Sequence, residues 1–142
     1  MANLQILQGG RIRGNFPVDS NSTYNQGSAI VVNSAGNLTQ YNGSNDQLIG
    51  LAMETAVSST VKNPTANTSI VTQGQVGSIL LGEALVLDNQ VSGTGGWSIG
   101  GTVYAQSGGL LTYTLTSGTD IGRVTSIPAS NGVLGFLYRP NI

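Results

Sequence analysis

Apolar residues along this chain fall in short runs separated by polar, glycine-containing stretches, and nowhere do they recur at helical spacing over three turns. Ala29-Ile30-Val31-Val32 and the segments 47–53, 69–71, 76–81, 84–87, 102–104, 110–115, 121–127 and 133–138 are of strand length. They are rich in aliphatic, β-branched and aromatic residues. Between them stand Ser34-Ala35-Gly36-Asn37, Asn42-Gly43, Asp88-Asn89, Ser107-Gly108-Gly109, Ser117-Gly118 and Asn131-Gly132, residues that accept the positive φ of tight hairpins. The 21 glycines would cost any long helix about 1 kcal/mol apiece, which argues for the strand period. Nine such runs predict an all-β fold: a small β-barrel or sandwich of short antiparallel strands.

Two stretches repeat one another. Ala29-Ile30-Val31-Val32 leads to Gly36-Asn37-Leu38-Thr39 and then to Asp46 and Ile49-Gly50, while Thr102-Val103-Tyr104-Ala105 leads to Gly109-Leu110-Leu111-Thr112 and then to Asp120-Ile121-Gly122. Two copies do not make a solenoid, which needs at least three. They predict two similar hairpin units packed in one barrel. Residues 1–26 differ in character: Leu4, Ile6 and Ile12 alternate with polar neighbours, but Gly9, Gly10, Gly14 and Pro17 interrupt them. This segment reads either as an extended N-terminal arm that adds a strand to a partner's sheet or as a first edge strand, ahead of a single β domain at 27–142.

Composition narrows what such a domain can do. At 142 residues there is room for one core, and 39% hydrophobic residues suffice to fill it. Charged residues make up only 8%, so Ser, Thr, Asn and Gln must form most of the surface. The basic residues are Arg11, Arg13, Lys62, Arg123 and Arg139, and the net charge is -1. That leaves no electrostatic footprint for nucleic acid and little repulsion to keep copies apart. No window is apolar enough for a membrane helix or a signal peptide, which predicts synthesis in a cytoplasm and no membrane partner. Sequons at Asn21, Asn37, Asn42 and Asn67 are then chance products of an Asn/Ser/Thr-rich chain.

Equipment for chemistry is scarce. With neither His nor Cys, the commonest general base, metal ligand and thiol nucleophile are absent, and no cofactor is expected. The carboxylates are Asp19, Asp46, Glu54, Glu83, Asp88 and Asp120, which leave carboxylate-based glycoside hydrolysis as the one enzymatic class to set against a non-enzymatic role. Asp46 and Asp120 lie beside Asn, Ser or Thr and are expected to cap turns. Asp19-Ser20-Asn21-Ser22-Thr23 begins like a calcium loop, but Tyr24 and Ile30 stand where the turn glycine and the bidentate Glu belong. Gly93-Thr94-Gly95-Gly96-Trp97-Ser98 looks like a phosphate cradle but lacks a following helix, so it reads as a hairpin tip. Trp97, the only tryptophan, is either a contact anchor at that tip or a cap on its own barrel. Leu4, Ile6, Arg11, Arg13 and Trp97 are the candidate partner contacts.

From Gly27 to Tyr138 the order of elements resembles the capsid cement, or head decoration, proteins of tailed bacteriophages. The likeness is carried by residues 27–32 with Gly36-Asn37-Leu38-Thr39, by Ile49-Gly50-Leu51-Ala52, by 76–86, by 99–104 with Gly109-Leu110-Leu111-Thr112, and by Ile121-Gly122-Arg123-Val124 with 132–137. The resemblance implies a small β-barrel that forms a homotrimer on the outer surface of a mature icosahedral head and clamps neighbouring subunits of the major capsid protein. A different class, a tail, fibre or adhesin module that binds a host surface, shares the same Gly/Ser/Thr/Asn-rich β composition and would need exposed aromatic residues.

Overall fold

A computed structural model describes residues 4–43, 48–60, 70–93, 95–114, 118–128 and 132–140, so Asp46, Lys62 and the sequon at Asn67 lie outside the described residues. The strands, in chain order, are β1 (Leu4–Gly9), β2 (Ile12–Pro17), β3 (Ala29–Val32), β4 (Leu38–Gln40), β5 (Leu48–Ala52), β6 (Thr55–Val57) and β7 (Ile70–Thr72). They continue with β8 (Val76–Leu80), β9 (Ala84–Asp88), β10 (Thr102–Ala105), β11 (Leu111–Thr112), β12 (Thr119–Ser126) and β13 (Leu134–Tyr138). Each of the nine apolar runs holds one of them.

A six-stranded sheet runs β1-β9-β13-β12-β10-β11 and a five-stranded sheet runs β2-β8-β5-β3-β4, with every neighbour antiparallel. A small parallel pair, β6-β7, stands apart. The chain is thus an all-β sandwich, and the barrel alternative is corrected: among the described residues no ladder joins either sheet's two edges into a closed wall, the edges of the five-stranded sheet meeting only at the single bridge from Val18 to Leu38. The N-terminal segment stays with the domain. Strands β1 and β2 form the matching outer edges of the two sheets, linked through Gly9 and Gly10, both at positive φ.

The main core lies between the sheets, where Val31, Ile49, Leu51 and Leu80 of one meet Val86, Val103, Ile121, Leu134 and Phe136 of the other. A second, smaller core covers the outer face of the five-stranded sheet, where Ile30, Leu38, Ala52 and Ile79 pack with Val18, Tyr24 and Ala56. This explains the two textures of the apolar runs. Strands β3 (AIVV) and β5 (LIGLA) are continuous because both their faces are covered, whereas β9 (ALVLD) and β10 (TVYA) alternate because one face meets water. Tyr138 of the six-stranded sheet ties the layers together by donating from its buried hydroxyl to the Ile49 carbonyl at 3.0 Å.

The internal repeat is a structural one, though its copies lie in different sheets rather than in one barrel. Both form the same five-residue hairpin: Asn33 N–H donates to Asn37 O at 2.9 Å and Gly36 N–H to Asn33 O at 2.9 Å. In the second copy Gln106 N–H donates to Leu110 O at 3.0 Å and Gly109 N–H to Gln106 O at 2.9 Å. Gly36 and Gly109 occupy the same left-handed position, with φ of 81° and 85°. Ile30 pairs with Gly50, and Val103 with Gly122.

Those two copies turn opposite faces to the core, however. Ile30 belongs to the outer cluster and Val103 to the inner one. A one-residue bulge in β12 reconciles this: Val103 pairs with Gly122, but Tyr104 pairs with Asp120, leaving Ile121 as the extra residue. The bulge returns Ile121 to the inner core and leaves Tyr104 and Asp120 on the outside.

Candidate interaction surface

Of the five residues singled out from the sequence, three are used by the domain itself. Leu4 is 7% exposed and lies in the core opposite Asp88, and Ile6 packs against the same cluster opposite Val86. Trp97 is also 7% exposed. Its loop folds back through Gly100 N–H to Val124 O and Val124 N–H to Gly101 O, both 2.9 Å, and its indole donates to Gly93 O at 3.1 Å. It is a wall of the core and not a projecting anchor. Arg11 and Arg13 are exposed at the β1–β2 turn and on β2, and neither forms an ion pair among the described residues. The backbone of Arg11 is fixed, since its carbonyl accepts from Leu81 N–H at 2.8 Å and Gly82 N–H at 3.2 Å.

The four sheet edges are unequal. Strand β11 has two residues and β4 three, and each is bridged by another segment, Leu111 by Val91 and Leu38 by Val18. Strand β2 is broken by a register shift between Arg13 and Phe16, by Asn15 at a φ of 67° and by Pro17. Strand β1 is six residues long with neither charge nor proline, and its single irregularity lies between Ile6 and Gln8. It has the fewest of the devices that normally stop an edge from pairing.

Beside this edge the outer face of the six-stranded sheet is apolar. Leu85 pairs with Leu137, Leu87 lies two positions along the same strand, and all three are half-buried. Leu7, at the irregularity in β1, is 49% exposed. A recess of about 170 Å³ runs between Gln8, Glu83, Leu85 and Leu137. The sequence reading missed this face, although its signal was present: Leu85 and Leu87 alternate with the buried Ala84, Val86 and Asp88.

Most of the carboxylates serve the fold. Asp19 closes a turn by accepting from Asn21 N–H at 2.9 Å and holds Asn33 at 3.3 Å. Glu54 accepts from the backbone N–H and the hydroxyl of Ser78. Asp120 caps the β12 bulge by accepting from Gly122 N–H at 3.1 Å and bridges Arg123 at 3.0 Å and Arg139 at 3.6 Å. Asp88 is fully buried: one oxygen accepts from Gln90 N–H at 2.9 Å and the other has no partner among the described residues. Burial pushes its carboxyl well above the ordinary range, the Gln90 bond opposing only part of that. Tyr24 likewise has a buried hydroxyl with no partner among the described residues, and its pKa is driven upward by burial and then by the charge of Glu54.

Another recess, of about 380 Å³, mixes uncharged polar side chains with Ala56, Val57 and Leu110. The polar ones include Asn25, Ser28, Gln40, Ser58 and Gln90, and Asn25 donates to Gln90 at 3.1 Å. Among the described residues no three His, Cys, Asp or Glu side chains gather as a metal site would require, and no helix is long and apolar enough to cross a membrane. Compared with known proteins, the chain matches no family model, no curated sequence and no solved structure.

Proposed function

We propose that this chain is a non-enzymatic structural protein, a head decoration (cement) protein that binds the outer surface of a mature phage capsid as a homotrimer and stabilises contacts between major capsid subunits. The observation that carries the proposal is the uncharged edge strand β1 beside the leucine face of Leu7, Leu85, Leu87 and Leu137. A clamp needs contact area on a rigid scaffold, and an open sheet edge offers backbone hydrogen bonds to any extended segment of a partner. The order of hairpins and Ile-Gly strands resembling the cement proteins supports the same reading, as does a surface so poor in charge that association meets little repulsion. Binding confined to the mature lattice would stabilise that lattice by mass action.

Cosedimentation with purified mature and immature shells tests this, together with electron microscopy of particles with and without the protein. Saturable binding to mature shells and density on the head faces are expected. Leu85→Lys should abolish the binding while leaving the fold intact. Density only on a tail, or no cosedimentation, refutes the assignment.

A further inference from the structure

We infer that the recess between the loop at 95–101 and the outer face of β10 is a binding site for a single neutral sugar ring. Folding leaves three of the eight aromatic residues outside the core, Phe16, Tyr104 and Tyr113. Two of those three, with Trp97 as the back wall, line this one recess of about 220 Å³. That is smaller than the roughly 300–1,000 Å³ typical of pockets enclosing drug-sized ligands.

The aromatic groups are held in place before any ligand arrives. Tyr113, 42% exposed, meets Trp97 edge-to-face with ring centroids 5.6 Å apart at 69°. Its phenol end rests on Gly96, where any Cβ would overlap the ring. Gly96 also has a φ of 86°, so both the loop path and the seat of the tyrosine require glycine there. Tyr104 reaches the recess because β10 alternates, with Val103 and Ala105 in the core and Tyr104 outside, while the β12 bulge lets Ile121 return to the core.

Hydroxyl groups complete the lining, from Ser98, Thr102, Tyr104 and Tyr113. No hydrogen bond within the described residues engages any of the four. Across the strand pair, Tyr104 pairs with Asp120 and Thr102 with Arg123, and Asp120 and Arg123 are held to each other in an ion pair. Among the described residues, no charged one lines the recess itself. This combination suits a pyranose: its apolar C–H face lies against a tyrosine ring and its hydroxyls exchange hydrogen bonds with neutral donors and acceptors. An apolar side chain would strand four hydroxyls, and an anion would meet no cation in the lining.

This site is separate from β1 and its leucine face, and its test does not depend on shells. The full chain is titrated with methyl glycosides of neutral hexoses and N-acetylhexosamines and with their disaccharides. Trp97 emission is a site-specific reporter, since the chain has one tryptophan, and backbone amide shifts locate the response. At least one sugar should saturate with a dissociation constant on the order of 1 mM or tighter, with shifts confined to 96–104, 112–113 and 120–123, while sorbitol, which has hydroxyls but no ring, gives no response. Tyr113→Ala should weaken binding roughly tenfold or more, about 1.4 kcal/mol, and Tyr113→Phe should retain most of it. Thr102→Val provides the same loss through one hydroxyl if Tyr113→Ala does not fold. The inference is overturned if no sugar saturates, if sorbitol gives the same response, or if the variants bind like the parent.

Discussion

Gly50 and Gly122 are the sharpest test of the repeat, because they occupy matching places and their crowding is of the same kind. A methyl group on Gly50 would overlap the Leu80 carbonyl and the Ile79 side chain, and one on Gly122 would overlap the Leu137 carbonyl and press on the Phe136 ring. In each case the obstacle is the backbone of the next strand, β8 or β13, which cannot rotate away. Overpacking of a core usually costs about 1–3 kcal/mol and more where backbone must move. Neither glycine is at positive φ, so alanine recovers about 0.4–1 kcal/mol from the unfolded chain. Gly50→Ala and Gly122→Ala should therefore each cost about 2–3 kcal/mol. Gly36→Ala is the control. Its Cβ meets nothing within 4 Å, but its φ is 81°, so the cost should be only the left-handed strain of about 1–2 kcal/mol, largely relieved in Gly36→Asn. Urea unfolding followed by Trp97 fluorescence and far-ultraviolet circular dichroism reads the difference. With a slope of about 2 kcal/mol per molar, the crowded pair should lower the midpoint by about 1–1.5 M. If Gly50→Ala or Gly122→Ala falls within about 0.5 kcal/mol of the parent, as a surface change would, the close approach of the strands is wrong.

Asp88 should make stability fall as pH rises. Its folded pKa is raised above the unfolded value, so its contribution is complete below that value and is lost as pH climbs through the folded pKa, at up to about 1.4 kcal/mol per pH unit. Asp88→Asn should be more stable than the parent at pH 7, and parallel pH profiles of unfolding free energy in the two proteins would refute this. Tyr138→Phe removes the bond to Ile49 O between the sheets and should cost about 0.5–1.5 kcal/mol, whereas Tyr24→Phe deletes a hydroxyl without a partner and should cost nothing or stabilise slightly. Both phenols have raised pKa values, so the parent should lose stability as pH rises above the ordinary tyrosine value. Each Phe variant should unfold less steeply in alkali, and an unchanged alkaline limb in either would refute burial of that hydroxyl.

The strands were legible because burial and turn chemistry are local. Continuous apolar runs at β3 and β5 and the glycine turns that bound them need no knowledge of partners. Strand β2, with only Ile12 and Phe16 as large apolar residues, owes its place to pairing with β8, and three-residue β6 exists through its parallel ladder to β7. Those are non-local causes. Sandwich against barrel depends on whether edges distant in sequence find each other, which no run of residues records.

The surface was less legible still, for reasons of parity. In a strand a shift of one residue exchanges inside for outside, so a repeat recognised by identity says nothing about which face each copy presents. The first copy faces Ile30 and Leu38 outward into a second core, while the second faces Val103 and Leu111 inward, and the single extra residue Ile121 absorbs the mismatch. That bulge decides what the second copy shows to solvent. Without it, either Ile121 would lie outside beside Asp120's neighbours or Tyr104 would be driven into the core. With it, the second copy keeps the core packed and still exposes Tyr104, Asp120 and Arg123 together on the outer face. Both copies thus line the inner core, with Val31 and Ile49 from one and Val103 and Ile121 from the other, but the first copy's outer face is covered by the second core while the second copy's outer face keeps a polar and aromatic surface on the six-stranded sheet.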